Sequence, residues 1–305
     1  MTDQLRTLIF DKASARAQLV SLETSWQKAA ANHPAPACVL ELLGQLMAAS
    51  AMLSASLKFD GSLILQIQGD GPVRLMVAEC NSTLGLRATF KLRDDLPLNE
   101  GASFQELVNL DGRGICAIIL DPHNRQPGQA PYQGLVPLVG NSVAQALESY
   151  MHSSEQLETR LVLQANAQHA VGLMLQQMPT GGGKSTEAIH DADGWDRLLA
   201  LSQTLQADEH LNTPLDELAK RLFWEEEAEM LADRLPHFHC TCSADKVRRM
   251  LVSLGPEEIE QALAEKPVIE VQCDFCGSAY AFDKAACDGL FASDDDQNHT
   301  GQTLH

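Results

Sequence analysis

Residues 37–58 read ACVLELLGQLMAASAMLSASLK. Val39, Leu42, Leu43, Leu46, Met47, Met52, Leu53 and Leu57 recur at helical spacing, and Glu41 and Lys58 are the only charges in the stretch. A helix with almost no charged side has nothing to offer water and belongs at the centre of a fold. The next residues supply its cover. Gly61-Ser62 opens a strand through Leu63, Leu65 and Ile67, Gly69-Asp70-Gly71-Pro72 reverses the chain, and residues 73–80 return as a second strand.

Working outward, the same patterns predict strands over 86–93, 103–110 and 114–120, with Asp111-Gly112-Arg113-Gly114 as a hairpin turn between the last two. A helix over 141–153, capped by Asn141 or Ser142, precedes strands over 160–165 and 170–177. On the N-terminal side, residues 11–32 are expected to form an amphipathic helix carrying Ala17, Val20 and Trp26. Strands joined by tight turns pair antiparallel. The fold class is therefore α+β, with an N-terminal mixed α/β domain over 1–180 whose mostly antiparallel sheets surround a buried helix.

With 305 residues and 45% hydrophobic content the chain has room for about two domains and a genuine core. Its 22 basic and 41 acidic residues give a net charge of −19, which repels phosphate backbones and anionic lipid surfaces and argues against nucleic acid and membranes as partners. The first ten residues carry Asp3 and Arg6 without an apolar signal region, and no window approaches the roughly 18 uninterrupted apolar residues of a membrane span. The expectation is a soluble, cytoplasmic protein.

Periodicity stops at Pro179-Thr180-Gly181-Gly182-Gly183-Lys184-Ser185, read as a flexible hinge. Gly183-Lys184-Ser185 resembles the end of a phosphate-binding loop, but that pattern needs a glycine where Met178 stands, so ATP binding is not expected. Residues 181–235 then form an acidic helical linker. Leu198, Leu199, Leu201 and Leu205, then Leu215, Leu218, Leu222 and Met230, keep helical spacing, and Thr213-Pro214-Leu215-Asp216 marks a helix start. Helices with such narrow apolar stripes and so much like charge are weakly stable unless they pack on something else. The run Glu225-Glu226-Glu227 with Glu229 is expected to hold the linker near melting, so that exchanging two of these for Gln would stabilise it.

Five of the eight cysteines, Cys240, Cys242, Cys273, Cys276 and Cys287, crowd into the last 70 residues. Cys240-Thr241-Cys242 and Cys273-Asp274-Phe275-Cys276 make two thiol pairs, and a reducing cytosol disfavours a disulfide framework. Four thiolates satisfy tetrahedral zinc, so these four are the candidate metal ligands, one Zn2+ per chain. The intervening residues fit a small helical insert. Ser243 caps a helix over 244–254, Gly255-Pro256 breaks the chain and starts another, and residues 268–271 form a strand entering the second pair. This module, residues 236–289, has too few large apolar side chains to fold alone, and zinc binding, on the order of 10 kcal/mol, would supply most of its stability. Residues 290–305 read as a disordered tail.

Other readings of the cysteines compete. The site could be a purely structural zinc serving a fixed protein partner. A thioredoxin-like Cys-x-x-Cys would need the motif to open a helix, whereas residues 277–282 read as a strand. His237 and His239 could replace thiols as ligands, but with four sulfurs present they read as exposed bystanders, and Cys287, which could be a spare or resolving thiol, also reads as a bystander. Lys246, Arg248 and Arg249 would favour the thiolate form. Cys38, Cys80 and Cys116 fall in predicted cores and act as small hydrophobes.

The order of parts resembles the redox-regulated heat-shock protein 33 family across nearly the whole chain. The resemblance rests on Tyr132-Gln133-Gly134-Leu135-Val136-Pro137-Leu138, on Tyr150-Met151-His152-Ser153-Ser154-Glu155-Gln156 with Thr159-Arg160, and on Gly172 through Pro179. It rests also on Phe238-His239-Cys240-Thr241-Cys242-Ser243 and on Cys273-Asp274-Phe275-Cys276-Gly277-Ser278-Ala279-Tyr280. The resemblance implies an ATP-independent holdase chaperone, not an enzyme, that is inactive when reduced and zinc-bound. It implies that oxidants expel zinc and form redox-active disulfides, Cys240 with Cys242 and Cys273 with Cys276. The linker then unfolds, apolar surface meets unfolding client proteins, and the active form is a homodimer. Trp195 and Trp224 lie in the linker and Trp26 outside it, so activation should shift tryptophan emission to the red.

Overall fold

The structure is a computed structural model that describes residues 2–125, 128, 130–178 and 191–291. The glycine-rich hinge, Gly183-Lys184-Ser185, and residues 292–305 of the expected tail lie outside the described residues, whereas residues 290 and 291 are helical and not the start of a disordered tail. The chain divides into two units, one ending at His239 and one starting at Cys240.

The first unit opens with a hairpin, β1 (Gln4–Phe10) and β2 (Ala15–Leu22), where a single helix over 11–32 is expected. Only its end is helical, as α1 (Thr24–Ala30), which buries Trp26 completely and aims its Nε1–H at the Asn166 carbonyl (2.8 Å). The reason lies in β2, a central strand apolar on both faces: Ala15, Ala17 and Leu19 point one way, Val20 and Leu22 the other. Such a strand loses its period of two and imitates a buried helix.

The uncharged helix is α2 (Ala37–Ser56). By length and mean hydropathy it could cross a membrane, closer to a span than a count of uninterrupted apolar residues suggests, yet 72% of that window is buried inside the protein. Gly44 allows this close packing, since a Cβ there would sit 2.6 Å from that of Ala165.

After α2 come β3 (Gly61–Gln68), β4 (Val73–Asn81) and β5 (Gly85–Leu92), antiparallel as expected. The predicted strand over 103–110 is instead a helical turn, α3 (Phe104–Val108), so Asp111–Gly114 is not a hairpin loop. Ser103 and Glu106 form a capping box: the Ser103 N–H donates to Glu106 Oε2 (2.8 Å) and the Glu106 N–H to Ser103 Oγ (3.4 Å). That Ser-x-x-Glu signature outweighs the alternating apolar pattern. The chain continues through β6 (Ile115–Pro122), β7 (Tyr132–Pro137), a strand that alternation alone does not predict, α4 (Val143–Ser153) capped by Ser142, β8 (Thr159–Ala165) and β9 (Ala170–Gln177).

Three helices then follow: α5 (Gly194–Gln203), α6 (Ala207–Asn212) and α7 (Leu215–Phe223). Their apolar stripes find a partner within this same unit. Leu198, Leu205, Leu215, Leu218 and Leu222 pack with Leu8, Phe10, Leu19, Leu173 and Leu175, and the Phe10 and Phe223 rings meet edge-on at 5.2 Å. Two short strands end the unit, β10 (Glu229–Met230) and β11 (His237–Phe238). The first sheet runs β10-β1-β2-β9-β8 and the second β11-β5-β4-β3-β6-β7. One core between them encloses α2. Every pairing in both sheets is antiparallel except β11 with β5.

The second unit contains α8 (Ala244–Leu254), capped by Ser243, α9 (Pro256–Glu265), the hairpin β12 (Val268–Gln272) and β13 (Ala279–Asp283), and α10 (Lys284–Phe291). Its buried core is Val247, Leu251, Ile259, Phe282 and Cys287.

Candidate metal centre

Cys240 and Cys242 lie in the extended stretch before α8, and Cys273 and Cys276 in the turn joining β12 to β13. That turn is a tight knuckle. The Gly277 N–H donates to the Cys273 carbonyl (2.8 Å), the Cys273 N–H to the Ser278 carbonyl (2.9 Å), and Gly277 takes a φ of +70° that its missing side chain permits.

The four sulfurs converge so that all lie within 4.8 Å of one another. Cys242 Sγ is 3.3 Å from Cys276 Sγ, and Cys240 Sγ is 3.7 Å from Cys273 Sγ. Sulfurs at the corners of a zinc tetrahedron with bonds of ~2.3 Å stand ~3.8 Å apart. The donor set and its spacing fit one zinc ion, with all four cysteines as free thiols.

The four thiols are not equivalent. Burial pushes Cys240 up to about 12 and also raises Cys273. Burial works in the same direction on Cys276, but contacts with the Ser278 hydroxyl (3.2 Å), the Ser278 backbone and the neighbouring thiols outweigh it and bring Cys276 down to about 6. Tyr280 donates from its hydroxyl to Cys242 Sγ (3.1 Å), which drives the tyrosine up to about 12. The lowering at Cys276 thus comes from Ser278 and its neighbours. The basic residues expected to supply it are turned to other work or to solvent: Arg248 pairs with Asp245 (2.6 Å). Ser278 and Tyr280 are site residues that sequence reasoning quoted in a motif without giving them a role. Their alternate spacing directly after the second thiol arm, Ser278 just before β13 and Tyr280 on it, was the available signal.

The remaining candidates fall elsewhere. His237 is in β11 and His239 just beyond it, both outside the sulfur cluster, their rings 6.2 Å apart. Cys287 is only 1% exposed and belongs to the second unit's core. Cys80 and Cys116 are buried in the first unit, where desolvation raises both to about 12. Cys38 is half-buried, its thiol 3.6 Å from the Asn99 carbonyl.

An α+β protein in which antiparallel sheets enclose an apolar helix, followed by a small unit built on four convergent thiols, defines a narrow class. The family model for the Hsp33 protein matches residues 3–283. The 33 kDa chaperonin of Methylobacillus flagellatus is 39% identical over 96% of this chain and 96% of its own, and that of Chromobacterium violaceum is 39% identical over 96% and 95%. The crystal structure of the 33 kDa chaperonin of Thermotoga maritima superposes with a TM-score of 0.79 at 21% identity, covering 96% of this chain and 99% of the other, which shows a shared fold.

The chain belongs to the Hsp33 family. Its relatives carry the names of chaperonins and not of enzymes, and the expectation that the chain is not an enzyme stands with that assignment.

Proposed function

We propose that this protein is a redox-regulated, ATP-independent holdase chaperone of the cytoplasm that binds unfolding client proteins under combined oxidative and heat stress. The observation that carries the reading is the convergence of Cys240, Cys242, Cys273 and Cys276 within 4.8 Å in a unit whose own apolar core is five buried residues. Bound zinc would hold the four thiolates and so tie both arms of that unit together.

Oxidation removes the donors. Cys240 with Cys242, and Cys273 with Cys276, would each lose two electrons from their thiolates to one molecule of hydrogen peroxide and close an S–S bond, while each peroxide takes two protons from solvent and leaves as two waters. This pairing lies within each arm and follows the family resemblance. The second unit then lacks the stability to stay folded. Residues 229–238, which precede Cys240 and are held at the sheet edges by two pairs each at β10 and β11 and by the Leu5–Arg234 bridge between them, lose their anchor. The helices α5, α6 and α7 follow, baring the apolar face around Leu8, Phe10 and Leu19 for clients and for a second copy in the oxidised homodimer.

One sample followed before and after peroxide at mildly elevated temperature tests this, reading zinc release and suppression of a thermally unfolding client's aggregation together. Both should rise in parallel and reverse with a dithiol. Zinc that stays bound, or that leaves without holdase activity, makes the site a structural one serving a fixed partner and overturns the switch.

A further inference from the structure

We propose that the first unit carries an anion-binding cleft, separate from the thiol centre, that takes a ligand with clustered phosphate groups. The cleft is built around the turn Gly69-Asp70-Gly71-Pro72 between β3 and β4. It has a volume of about 510 Å3, and Arg74, Arg93 and Arg113 line it together with Asp70. In a chain of net charge −19, three guanidinium groups gathered at one concavity run against the overall field.

Each arginine is brought there by a specific device. Arg74 occupies the irregular step between Val73 and Leu75, where β4 slips register against β5. A bulge of this kind re-aims the side chain it carries. Arg74 is exposed and has no side-chain partner among the described residues. Arg93, just beyond β5, is oriented by two backbone carbonyls of the turn: its Nε donates to Gly71 (3.2 Å) and its terminal nitrogen to Gly69 (3.0 Å). Carbonyls orient a guanidinium without cancelling its charge. The turn itself is closely packed, since a Cβ on Gly71 would sit 2.6 Å from the Glu106 and Leu107 carbonyls.

Arg113 comes from the loop before β6. Asp70 Oδ2 accepts the backbone N–H groups of Asp111 (3.2 Å) and Arg113 (2.9 Å), which pins that loop to the turn. The Arg113 side chain pairs with Asp111 (2.7 Å) and more loosely with Asp70 (3.7 Å). Two of the three arginines therefore keep a full charge with no carboxylate partner, and the third holds an exposed pair that an incoming anion can displace. Asp70, and Asp95 in the adjoining cleft, oppose any anion, so a ligand must engage more than one of the three guanidinium groups to outweigh them. Planar guanidinium forks spread over an open volume of this size suit several linked tetrahedral oxyanions better than one carboxylate.

The test uses the reduced, zinc-loaded full chain and titrates it calorimetrically with inorganic triphosphate, with zinc content checked afterwards. Saturable 1:1 binding that weakens between 50 and 200 mM salt is expected. Arg74→Glu, at an exposed and unpartnered position, should weaken it by at least about tenfold, and Arg74→Glu with Arg113→Gln should abolish it, both with unchanged circular dichroism. ATP binding like triphosphate would mean that only the phosphates are read. No saturable binding at 50 mM salt, or unaltered binding by Arg74→Glu, overturns the site. Oligoglutamate bound as tightly as triphosphate, with the same loss in Arg74→Glu, overturns its phosphate character.

Discussion

Phe238 on β11 pairs in parallel with Leu86 on β5, two residues before the first thiol of the cluster. The hydrogen bonds around it, from the His237 N–H to Leu84 (3.0 Å) and from the His239 N–H to Leu86 (2.9 Å), make the segment entering the thiol centre an edge strand of the first unit. Earlier in the same segment, Met230 pairs with Leu8 on the other sheet. Ten residues thus connect both sheets to Cys240 along the chain, a short path by which events at the sulfurs can reach the linker.

The first prediction concerns the metal. Chelation at neutral pH, or Cys276→Ser, should unfold the second unit while leaving the first intact, because the proposed zinc would supply on the order of 10 kcal/mol that five buried side chains do not replace. Hydrogen exchange should show protection lost over α8, α9 and α10 and retained in α2. Protection surviving at α8 without metal would refute the dependence.

Arg6 pins the linker to β1. Its buried guanidinium makes a two-pronged pair with Asp233 (2.8 and 2.7 Å) and also meets Asp216 on α7. Arg6→Ala should cost about 2 kcal/mol, release both contacts at once, and lower the peroxide needed for holdase activity. An unchanged activation curve would remove Arg6 from the switch.

The acidic run is not uniform. Glu226 is engaged by Arg197 (2.9 and 3.0 Å), which raises the arginine's pKa, and Glu227 by Lys12 (2.8 Å), whereas the side chains of Glu225 and Glu229 have no partner among the described residues. Which two of these residues are exchanged for Gln therefore matters. Glu225→Gln with Glu229→Gln should raise the peroxide requirement, and Glu226→Gln should lower it, each on the order of two- to threefold. Peroxide titrations of the two variants shifting in the same direction would sink this assignment.

Tryptophan emission should report α5 in particular. Trp224 is already 74% exposed, Trp26 is fully buried in the first core, and Trp195 packs half-buried against the helix-covered sheet face. A modest red shift on activation is expected, and Trp195→Phe should remove most of it. A shift that persists in that variant would place the change elsewhere.

His210 on α6 is 1% exposed and neither ring nitrogen has a hydrogen-bond partner of good geometry. Burial pushes its pKa down to about 4, the nearby Gly172 backbone offsetting only part of the effect. Above pH 6.5 the ring is neutral folded or unfolded and contributes no pH dependence. Between 6.5 and about 4 only the unfolded state takes up the proton, so stability falls with pH, by on the order of 3 kcal/mol across the window. Denaturant melts of the α5–α7 region should show this slope, and His210→Phe should flatten it.

Much of the protein was legible locally. Cys240-Thr241-Cys242 and Cys273-Asp274-Phe275-Cys276 announced a four-thiol centre, Ser243 and Pro256 marked helix starts where α8 and α9 begin, and residues 37–58 declared a buried helix, because ligand spacing, caps and an absent polar face are written within a few residues. Tertiary structure decided the rest. β2 is a strand because β1 and β9 flank it and both its faces are covered, a fact of distant residues that its own pattern disguises. The two-residue strands β10 and β11 exist only through partners more than 150 residues away. The Cys276 environment depends on where the β13 hairpin sets Ser278, and the arginine cleft on a register slip in β4. Short-range chemistry fixes what a segment can be, whereas burial and strand pairing select among those states through contacts that leave no local trace.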